Sequence, residues 1–407
     1  MRRLQKGLVV GAVLALGLTA CGSDDDDSEA GDASGSLLIW ADEKRAGPVG
    51  DLARQWGEDN GVTVEVAQIN FEDIEDQFTQ QAPAGLGPDV LLGANDWVES
   101  FNASGLIAPV DLGDNRDQFV ESAVEGWTID GQVYAVPVAV ENVVLFRNAD
   151  LAPETPASIE AMAEAGLALE GEGKTRYPIG IQVGEAGDPY HAYPMYSGAG
   201  GYYYPLSNGE FDTSDLGVGE EGSLEFAQRW GELGAQGAIK STFVGDDLIS
   251  AWSSGQLAYW ITGPWNIPIV LDSGVNYEVE PVPGWEGSDA AAVPIVGSQG
   301  FYLSQLSENK TTAQAFLDAT MNTEFMDAIY EADPRPPAWK DSDASSDPII
   351  AEILAYGEGG YPNLYPNNRI VTEELGLAQV RILDGADPAA SIEEARANIE
   401  KRTGEGS

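Results

Sequence analysis

Charged and aromatic side chains stand in loops where they could bind a polar ligand. Residues 42–45 read Asp-Glu-Lys-Arg and directly follow a short apolar run that is typical of a buried strand. Open α/β sheets bind ligands beyond the carboxyl ends of their strands, so this loop is a candidate site. Trp265 lies in a Gly-Pro-Trp loop, where a tryptophan is a poor choice for filling a core. We therefore expect Trp265 to face a ligand.

This combination of side chains suits a saccharide. Sugar hydroxyls both donate and accept hydrogen bonds, and ionised partners make the stronger ones. Aromatic rings cover the flat C–H faces of a sugar with a large contact area at low entropic cost. The loops therefore favour a carbohydrate ligand.

The sequence lacks the usual signatures of catalysis. His191 is the single histidine, and there is no Gly-x-Ser-x-Gly elbow, phosphate-binding loop or His/Cys metal cluster. We expect no catalytic residue, no metal and no cofactor. A glycoside hydrolase would need two carboxylates ~5–10 Å apart, and in a chain with 67 acidic residues their presence proves nothing. That alternative stays open here, as does a surface carbohydrate adhesin or sensor.

The chain is extremely acidic. It carries 20 Lys and Arg against 67 Asp and Glu, a formal net charge of −47. Binding to nucleic acid or to an anionic membrane surface depends on clustered Lys and Arg, so the charge makes both poor partners and we expect neither. We interpret the charge as a strongly hydrated surface suited to high external salt, where repulsion is screened.

The N-terminus has the pattern of an export signal. Arg2, Arg3 and Lys6 precede an apolar run over residues 8–18 that is too short for a membrane-spanning helix of ~20 residues. The run leads into Leu-Thr-Ala and then Cys21, which resembles the lipobox of bacterial lipoproteins. Cys21 is the only cysteine of the chain, so it has no disulfide partner within it.

We therefore predict a lipoprotein anchored outside the cytoplasm. Residues 1–20 are the predicted signal peptide, Cys21 is the predicted site of acylation, and residues 21–36 are a predicted acidic tether with too little apolar surface to fold. The remaining chain is too long for one core and suits two domains.

Strands alternate with helices through the first hundred residues. This order favours an α/β architecture with a mostly parallel sheet. Later, a turn at Asp130-Gly131 leads into another strand, and residues 294–303 form a further one. The early elements are predicted as strands over 36–40, 62–69 and 87–92, and helices over 49–59 and 71–81, the first ending at Asn60-Gly61.

Short motifs recur in the order seen in one protein family. The chain resembles the extracellular sugar-binding proteins of ABC importers, and among them the maltose/maltodextrin-binding proteins, from about Leu37 to the C-terminal helix. The motifs are Leu-Ile-Trp at 38–40, Gly-Pro-Asp-Val at 87–90, Ser-Gly-Leu-Ile-Ala-Pro at 104–109, Tyr-Ala-Val-Pro-Val-Ala-Val-Glu at 134–141, Gly-Pro-Trp at 263–265 and Val-Asn-Tyr at 275–277.

The resemblance implies a two-lobed periplasmic-binding-protein-like fold of class II. Its interleaved lobes would be joined by a three-segment hinge, with crossings near Val140, Gly297 and Pro336, and would close on a ligand between them. Lobe I would comprise residues 37–140 and 297–338, and lobe II residues 141–296 and 339–407.

The resemblance also implies partners and site residues. The expected ligand is an oligosaccharide, most specifically maltose or maltodextrin, and the expected partners are the membrane subunits of an ABC permease. We expect a monomer that contacts the membrane only through the lipid on Cys21. The predicted ligand-binding residues are Asp42, Glu43, Lys44, Arg45, Asn95, Asp96, Trp97, Glu141, Asp188, Tyr190 and Trp265.

Three positions depart from the best-known maltodextrin-binding pattern. Gly93 stands where a tryptophan is expected, and Trp97 stands where an arginine is expected. The segment at 362–366 resembles one that leads to a stacking tryptophan, but no tryptophan follows it. One sugar subsite is therefore predicted to be built differently, and a neutral oligosaccharide is the broader prediction.

Overall fold

The computed structural model describes residues 35–207 and 210–404. The predicted signal peptide, Cys21 and the tether up to residue 34 lie outside these ranges. In the described part, no helix is both long enough and apolar enough to cross a membrane.

Within the described ranges, the strands belong to two principal sheets and two small hairpins. They are β1 Gly35–Ala41, β2 Val62–Gln68, β3 Val90–Ala94, β4 Ile107–Ala108, β5 Thr128–Ile129, β6 Gln132–Val133, β7 Ala135–Asn142, β8 Val144–Asn148, β9 Gly180–Ile181, β10 Leu206–Ser207, β11 Glu210–Phe211, β12 Tyr259–Thr262, β13 Tyr277–Glu280, β14 Ile295–Ser304 and β15 Tyr361–Pro362.

Helices separate most of these strands. They are α1 Ala46–Asn60, α2 Phe71–Gln81, α3 Val98–Ala103, α4 Glu121–Glu125, α5 Ile159–Gly171, α6 Pro189–Gly198, α7 Glu221–Gln236, α8 Gly245–Ser253, α9 Ile267–Asp272, α10 Lys310–Thr320, α11 Thr323–Ala332, α12 Pro348–Gly357, α13 Asn368–Leu383 and α14 Pro388–Thr403.

The early elements form as predicted, with shifted ends. The first helix begins at Ala46, three residues before the predicted start, and ends at Asn60 as expected. Gly61 follows at φ 71°, a left-handed conformation that glycine adopts without steric cost. The third strand begins only at Val90, because the Gly-Pro of residues 87–88 belongs to the turn before it.

The large sheet is mixed. Its main order is β15-β14-β3-β1-β2, and both β4 and β7 also pair with β14. β1 is parallel to β2 and β3, whereas β14 is antiparallel to β3 and β7. Every residue of β3 and of β7 is buried, which explains why both read as nearly continuous apolar runs.

The small sheet has the order β13-β8-β12-β9. β8 is antiparallel to both of its neighbours, and β9 is parallel to β12. Different apolar clusters pack against the two sheets. Two clusters contain residues of β1, β3 and β14 in the large sheet. Two other clusters contain residues of β8, β9 and β12 in the small sheet. Each sheet with its helices therefore forms one lobe of an α/β fold.

The three predicted crossing positions lie side by side. Val140 pairs with Ser298 in the sheet, and its N–H donates to the carbonyl of Pro336 at 2.8 Å. Only Val143 separates β7 of the large sheet from β8 of the small one. The lobe boundaries at 140, 297 and 338 stay a prediction.

Candidate ligand-binding site

Three strands of the large sheet bring predicted polar residues to one edge. Asp42 directly follows β1, and Asp96 lies in a 3-10 turn directly after β3, which runs parallel to β1. Glu141 lies near the end of β7, which runs in the same direction as β3 because both are antiparallel to β14. The carboxyl ends of all three strands therefore meet where α/β sheets bind ligands.

Asp42 and Arg45 form a buried ion pair in the first loop. Asp42 is 2% exposed; its Oδ1 accepts from the backbone N–H of Lys44 at 2.9 Å, and its Oδ2 accepts from Arg45 Nε at 2.5 Å. Arg45 Nη2 donates to Gln299 Oε1 at 3.0 Å. Burial by itself raises the pKa of Asp42, but the charge of Arg45 and its hydrogen bond lower the pKa overall. This loop is thus held rigidly by its own charges.

Glu141 is held by two residues that the sequence did not indicate. Its Oε1 accepts from Gln299 Nε2 at 3.0 Å, and its Oε2 accepts from Arg335 Nη1. Arg335 Nε in turn donates to Asp333 Oδ2 at 2.7 Å. Burial alone lowers the pKa of Arg335, whereas the charges of Glu141 and Asp333 raise the pKa overall, so the guanidinium stays charged.

These residues make a charge-balanced cluster in a very acidic protein. Lys44 adds a third cation, and its pKa is lowered first by burial and then by repulsion from Arg335, against the attraction of Asp333. Cations and carboxylates are equal in number, which limits the cost of burying the five members other than Lys44, whose side chain is exposed. The members are Lys44, Arg45 and Arg335 with Asp42, Glu141 and Asp333.

Asp96 is not a member of this charge-balanced cluster. Its Oδ1 is buried and has no hydrogen-bond partner among the described residues. Burial, reinforced by the nearby charges of Glu75 and Glu141, raises the pKa of Asp96 to about 7. Asp96 therefore needs a proton, or a donor from a ligand, to satisfy a buried acceptor.

Replacing Asp96 with asparagine is expected to stabilise the protein at high pH. The pKa of Asp96 is 3.8 in the unfolded chain and about 7 in the folded protein. The free energy of unfolding therefore falls as the pH rises from about 4 to about 7, because the carboxyl ionises first in the unfolded state. We expect the free energy of unfolding of Asp96→Asn to exceed that of wild type by about 2 kcal/mol at pH 8, after allowing for solvent screening. At pH 5 the difference should be less than half of that.

Urea unfolding at both pH values measures this effect. Asp289→Asn, at an exposed position, controls for the loss of one negative charge. A gain for Asp96→Asn that is the same at pH 5 and pH 8 would contradict the raised pKa of Asp96.

The small-sheet lobe contributes aromatic rings. Asp188 caps the N-terminus of α6, accepting from the His191 N–H at 3.0 Å, and its Oδ2 lies 2.7 Å from His191 Nδ1. The Trp265 ring centroid lies 5.5 Å from that of His191 and 6.1 Å from that of Tyr190. Gly263 permits this fold of the loop, because a Cβ there would lie 2.1 Å from Trp265 Cζ3.

Several contacts join the two lobes at this point. Lys44 Nζ donates to the carbonyl of Trp265 at 2.8 Å, and the Tyr190 hydroxyl donates to the carbonyl of Glu141 at 3.4 Å. Arg335 Cζ lies 6.0 Å from the centroid of the Trp265 ring. Lys44, Glu141, Tyr190 and Trp265 therefore come together, as a site between lobes requires.

A further set of ion pairs joins α13 of one lobe to α2 of the other. Arg369 Nη1 donates to Glu75 Oε1 at 3.1 Å, and Arg369 Nη2 lies 3.5 Å from Asp76 Oδ1. Arg369 stands in the segment where the resemblance led to expect a stacking tryptophan. An ion pair between lobes occupies this end, and because the Arg369 side chain is half exposed, its contribution to stability is modest.

Two of the predicted residues, Asn95 and Glu43, make structural contacts. Asn95 Oδ1 accepts from the Ser298 N–H at 3.0 Å, and Asn95 Nδ2 donates to the Gly126 carbonyl at 2.9 Å. The carboxylate of Glu43 accepts from the N–H of Phe71 at 3.1 Å, at the start of α2. These contacts fix loops around the site; roles in ligand binding stay predictions.

Trp97 explains the glycine at position 93. Its ring is 7% exposed and packs against Phe71 and Phe101 at centroid distances of 5.2 and 6.0 Å. A Cβ on Gly93 would lie 2.1 Å from Trp97 Cζ3, so a tryptophan could not stand there. In this structure the Trp97 ring packs in the core of the large-sheet lobe, and its role in ligand binding stays a prediction.

Asp333, Arg335 and Gln299 were not identified from the sequence. Arg335 stands in Asp-Pro-Arg-Pro-Pro, which reads as an irregular connection without periodicity. Gln299 lies within an apolar strand, and a buried polar residue in a strand is the one available clue that it holds a partner.

A family match covers most of the chain. Residues 51–354 match the family of bacterial extracellular solute-binding proteins. The chain belongs to this family. The fold agrees: a crystal structure of a cyclo/maltodextrin-binding protein complexed with maltotetraose aligns with a TM-score of 0.74 at 21% identity, covering 92% of this chain and 98% of that one. The predicted two-lobed α/β fold is thereby confirmed.

Curated relatives of this solute-binding protein carry related names. The galactooligosaccharide-binding protein of Bacillus subtilis is 25% identical over 403 residues, or 94% of this chain and 93% of the relative. The maltooligosaccharide ABC transporter solute-binding lipoprotein of Streptococcus pneumoniae is 28% identical over 335 residues, or 79% and 77%. These relatives are named as binding proteins, and the prediction that the chain is not an enzyme is confirmed.

Proposed function

We propose that this solute-binding protein delivers an oligosaccharide to an ABC importer. The observation that carries the proposal is the meeting of charged side chains from one lobe with Tyr190 and Trp265 from the other. Carboxylates and cations of the large-sheet lobe would bind hydroxyls, and the aromatic rings would cover C–H faces.

Closure of the lobes on the sugar would follow from contacts that need both lobes. A ligand favours the closed form by its extra affinity for that form, so one sugar bound by Asp96 and Trp265 together stabilises closure. The closed, loaded form would then be presented to the permease subunits, with the protein acting as a monomer.

Lipid anchoring through Cys21 belongs to the same proposal. The lipobox-like Leu-Thr-Ala-Cys segment and the single cysteine support it, and a streptococcal relative is named a lipoprotein. The protein would then act on the outer face of the membrane, with the segment between Cys21 and β1 as its tether.

Maltodextrin is the first ligand proposed, and a galactooligosaccharide is the second. The motifs of the chain and the name of the streptococcal relative favour maltooligosaccharides. The galactooligosaccharide-binding protein of Bacillus subtilis, 25% identical over 94% of this chain, supports the second candidate. Both are neutral oligosaccharides, which fits the charge-balanced cluster around Glu141 and Arg335.

A thermal-shift screen against maltose, maltotriose, maltotetraose and galactotriose tests the proposal. A sugar at 100 times its Kd should add about 2.7 kcal/mol to the stability of the fold and raise its Tm by several degrees. Cellobiose and xylobiose serve as non-matching sugars.

Each result of the screen has a definite meaning. A shift with maltooligosaccharides alone supports the first candidate, and a shift with galactotriose alone supports the second. No shift with any sugar, for protein shown to be folded and free of bound sugar, would overturn the proposed function.

A further inference from the structure

Arg335 lies at the centre of the predicted site although no pattern in the sequence indicates it. It belongs to the segment that follows α11, at one of the three predicted crossings, and it is 8% exposed. It bonds to Glu141 and lies near the Trp265 ring, and its charge influences the pKa of three further predicted residues. With those three, five predicted ligand-binding residues are affected. They are Asp42, Lys44, Glu141, Tyr190 and Trp265.

The guanidinium of Arg335 is held in a fixed orientation. Nε donates to Asp333 Oδ2 at 2.7 Å and Nη1 donates to Glu141 Oε2. A guanidinium carries five N–H donors in one plane, so these two bonds set the plane and leave further donors for another partner. Pre-organised donors of this kind lose little entropy when they bind.

The place of these donors matches what a stacked sugar needs. A sugar ring lying on Trp265 would contact the indole through its C–H face and direct hydroxyls to the rim of the ring. Arg335 Cζ lies 6.0 Å from the centroid of that ring, within reach of such hydroxyls. Asp96, by contrast, supplies a buried acceptor. The two residues are complementary: one donates and the other accepts.

We propose that Arg335 donates hydrogen bonds directly to the sugar unit that stacks on Trp265. This inference rests on the proposed function and adds to it a residue from the third crossing segment. A sugar bound by Arg335 would join that segment to Trp265 of the other lobe, so the residue would also favour closure.

Calorimetric titration of Arg335 variants with maltotriose and galactotriose tests the inference. Arg335→Gln should weaken the Kd of the sugar that binds wild type by about 10- to 150-fold, the range for a lost hydrogen bond to a charged group. Arg335→Lys keeps a charged donor but lacks the planar fork of the guanidinium, so its Kd should lie between those of wild type and Arg335→Gln.

A matched control separates binding from folding. Arg147 is 5% exposed and pairs with Glu280 at 2.7 Å between β8 and β13. Arg147→Gln should lower the unfolding midpoint without changing the Kd. If Arg335→Gln does not fold, Arg335→Lys decides: a Kd at least threefold weaker supports the inference, and the wild-type Kd overturns it.

Monodeoxy maltotrioses, or monodeoxy galactotrioses if that sugar binds, test whether Arg335 contacts the sugar directly. The alternative is that Arg335 acts only by holding Glu141 in place. We expect at least one deoxy sugar to bind wild type about tenfold more weakly while binding Arg335→Gln as well as its parent sugar does. Equal losses in both proteins for every deoxy sugar would overturn the inference and leave the proposed function standing. A wild type that binds no sugar would overturn both.

Discussion

Replacing Trp265 with alanine is expected to weaken sugar binding about 100-fold while the protein stays folded. Tryptophans that anchor a ligand in a desolvated site contribute among the largest single losses on truncation, so ~2.7 kcal/mol is a reasonable expectation. The ring is only partly buried, packing against His191 and Tyr190 at the edge of the small-sheet core, so its removal leaves that core intact.

Titration calorimetry and thermal unfolding of the same variant measure both parts of this prediction. Trp56→Ala is the matched control, because Trp56 is also partly buried but packs against Phe316 on the outer side of the large-sheet lobe. Both variants should lose a similar, small amount of stability, and only Trp265→Ala should lose affinity. Wild-type affinity in Trp265→Ala would remove this residue from the site.

Replacing Glu141 with alanine is expected to lower the free energy of unfolding by about 3 kcal/mol and also to abolish ligand binding. Removing one partner of a buried ion pair leaves the other charge without compensation, and such losses are typically ~3–5 kcal/mol. Arg335 would keep Asp333 as a partner, which places the expected cost at the lower end. Gln299 Nε2 would also lose its acceptor.

Urea unfolding of Glu141→Ala and Glu141→Gln measures this cost. The glutamine variant keeps an oxygen for Arg335 and should be clearly less destabilised than the alanine variant. Glu121→Ala, which breaks an ion pair with Arg116 at the exposed surface, should change stability little. If Glu141→Ala and Glu121→Ala unfold at the same urea concentration, the buried pair is not holding the strand ends together.

Much of the fold could be predicted because the relevant patterns are local. The Asn60-Gly61 helix end, the α2 helix over 71–81 and the apolar β1 and β3 runs each depend on near neighbours in the chain. The order of short motifs then identified the family, and with it a two-lobed arrangement that no periodicity could have shown.

The site was predictable only where a residue follows a recognisable strand or motif. Asp42 and Asp96 were predicted because they come directly after β1 and β3, and Trp265 because it follows Gly-Pro. Trp97 was placed among the ligand-binding residues from the same reasoning. Its packing against Gly93, Phe71 and Phe101 depends on contacts that a linear pattern does not contain.

The export signal pattern, the excess of acidic residues, the strand and helix order and the family of this protein can all be read from the linear chain. Which distant charges pair with one another depends on the folded structure. Arg335 reaches Glu141 across 194 positions of the chain, and Lys44 reaches Trp265 across 221. Partners so far apart meet only once both sheets have formed, because neither residue has a local preference that points to the other.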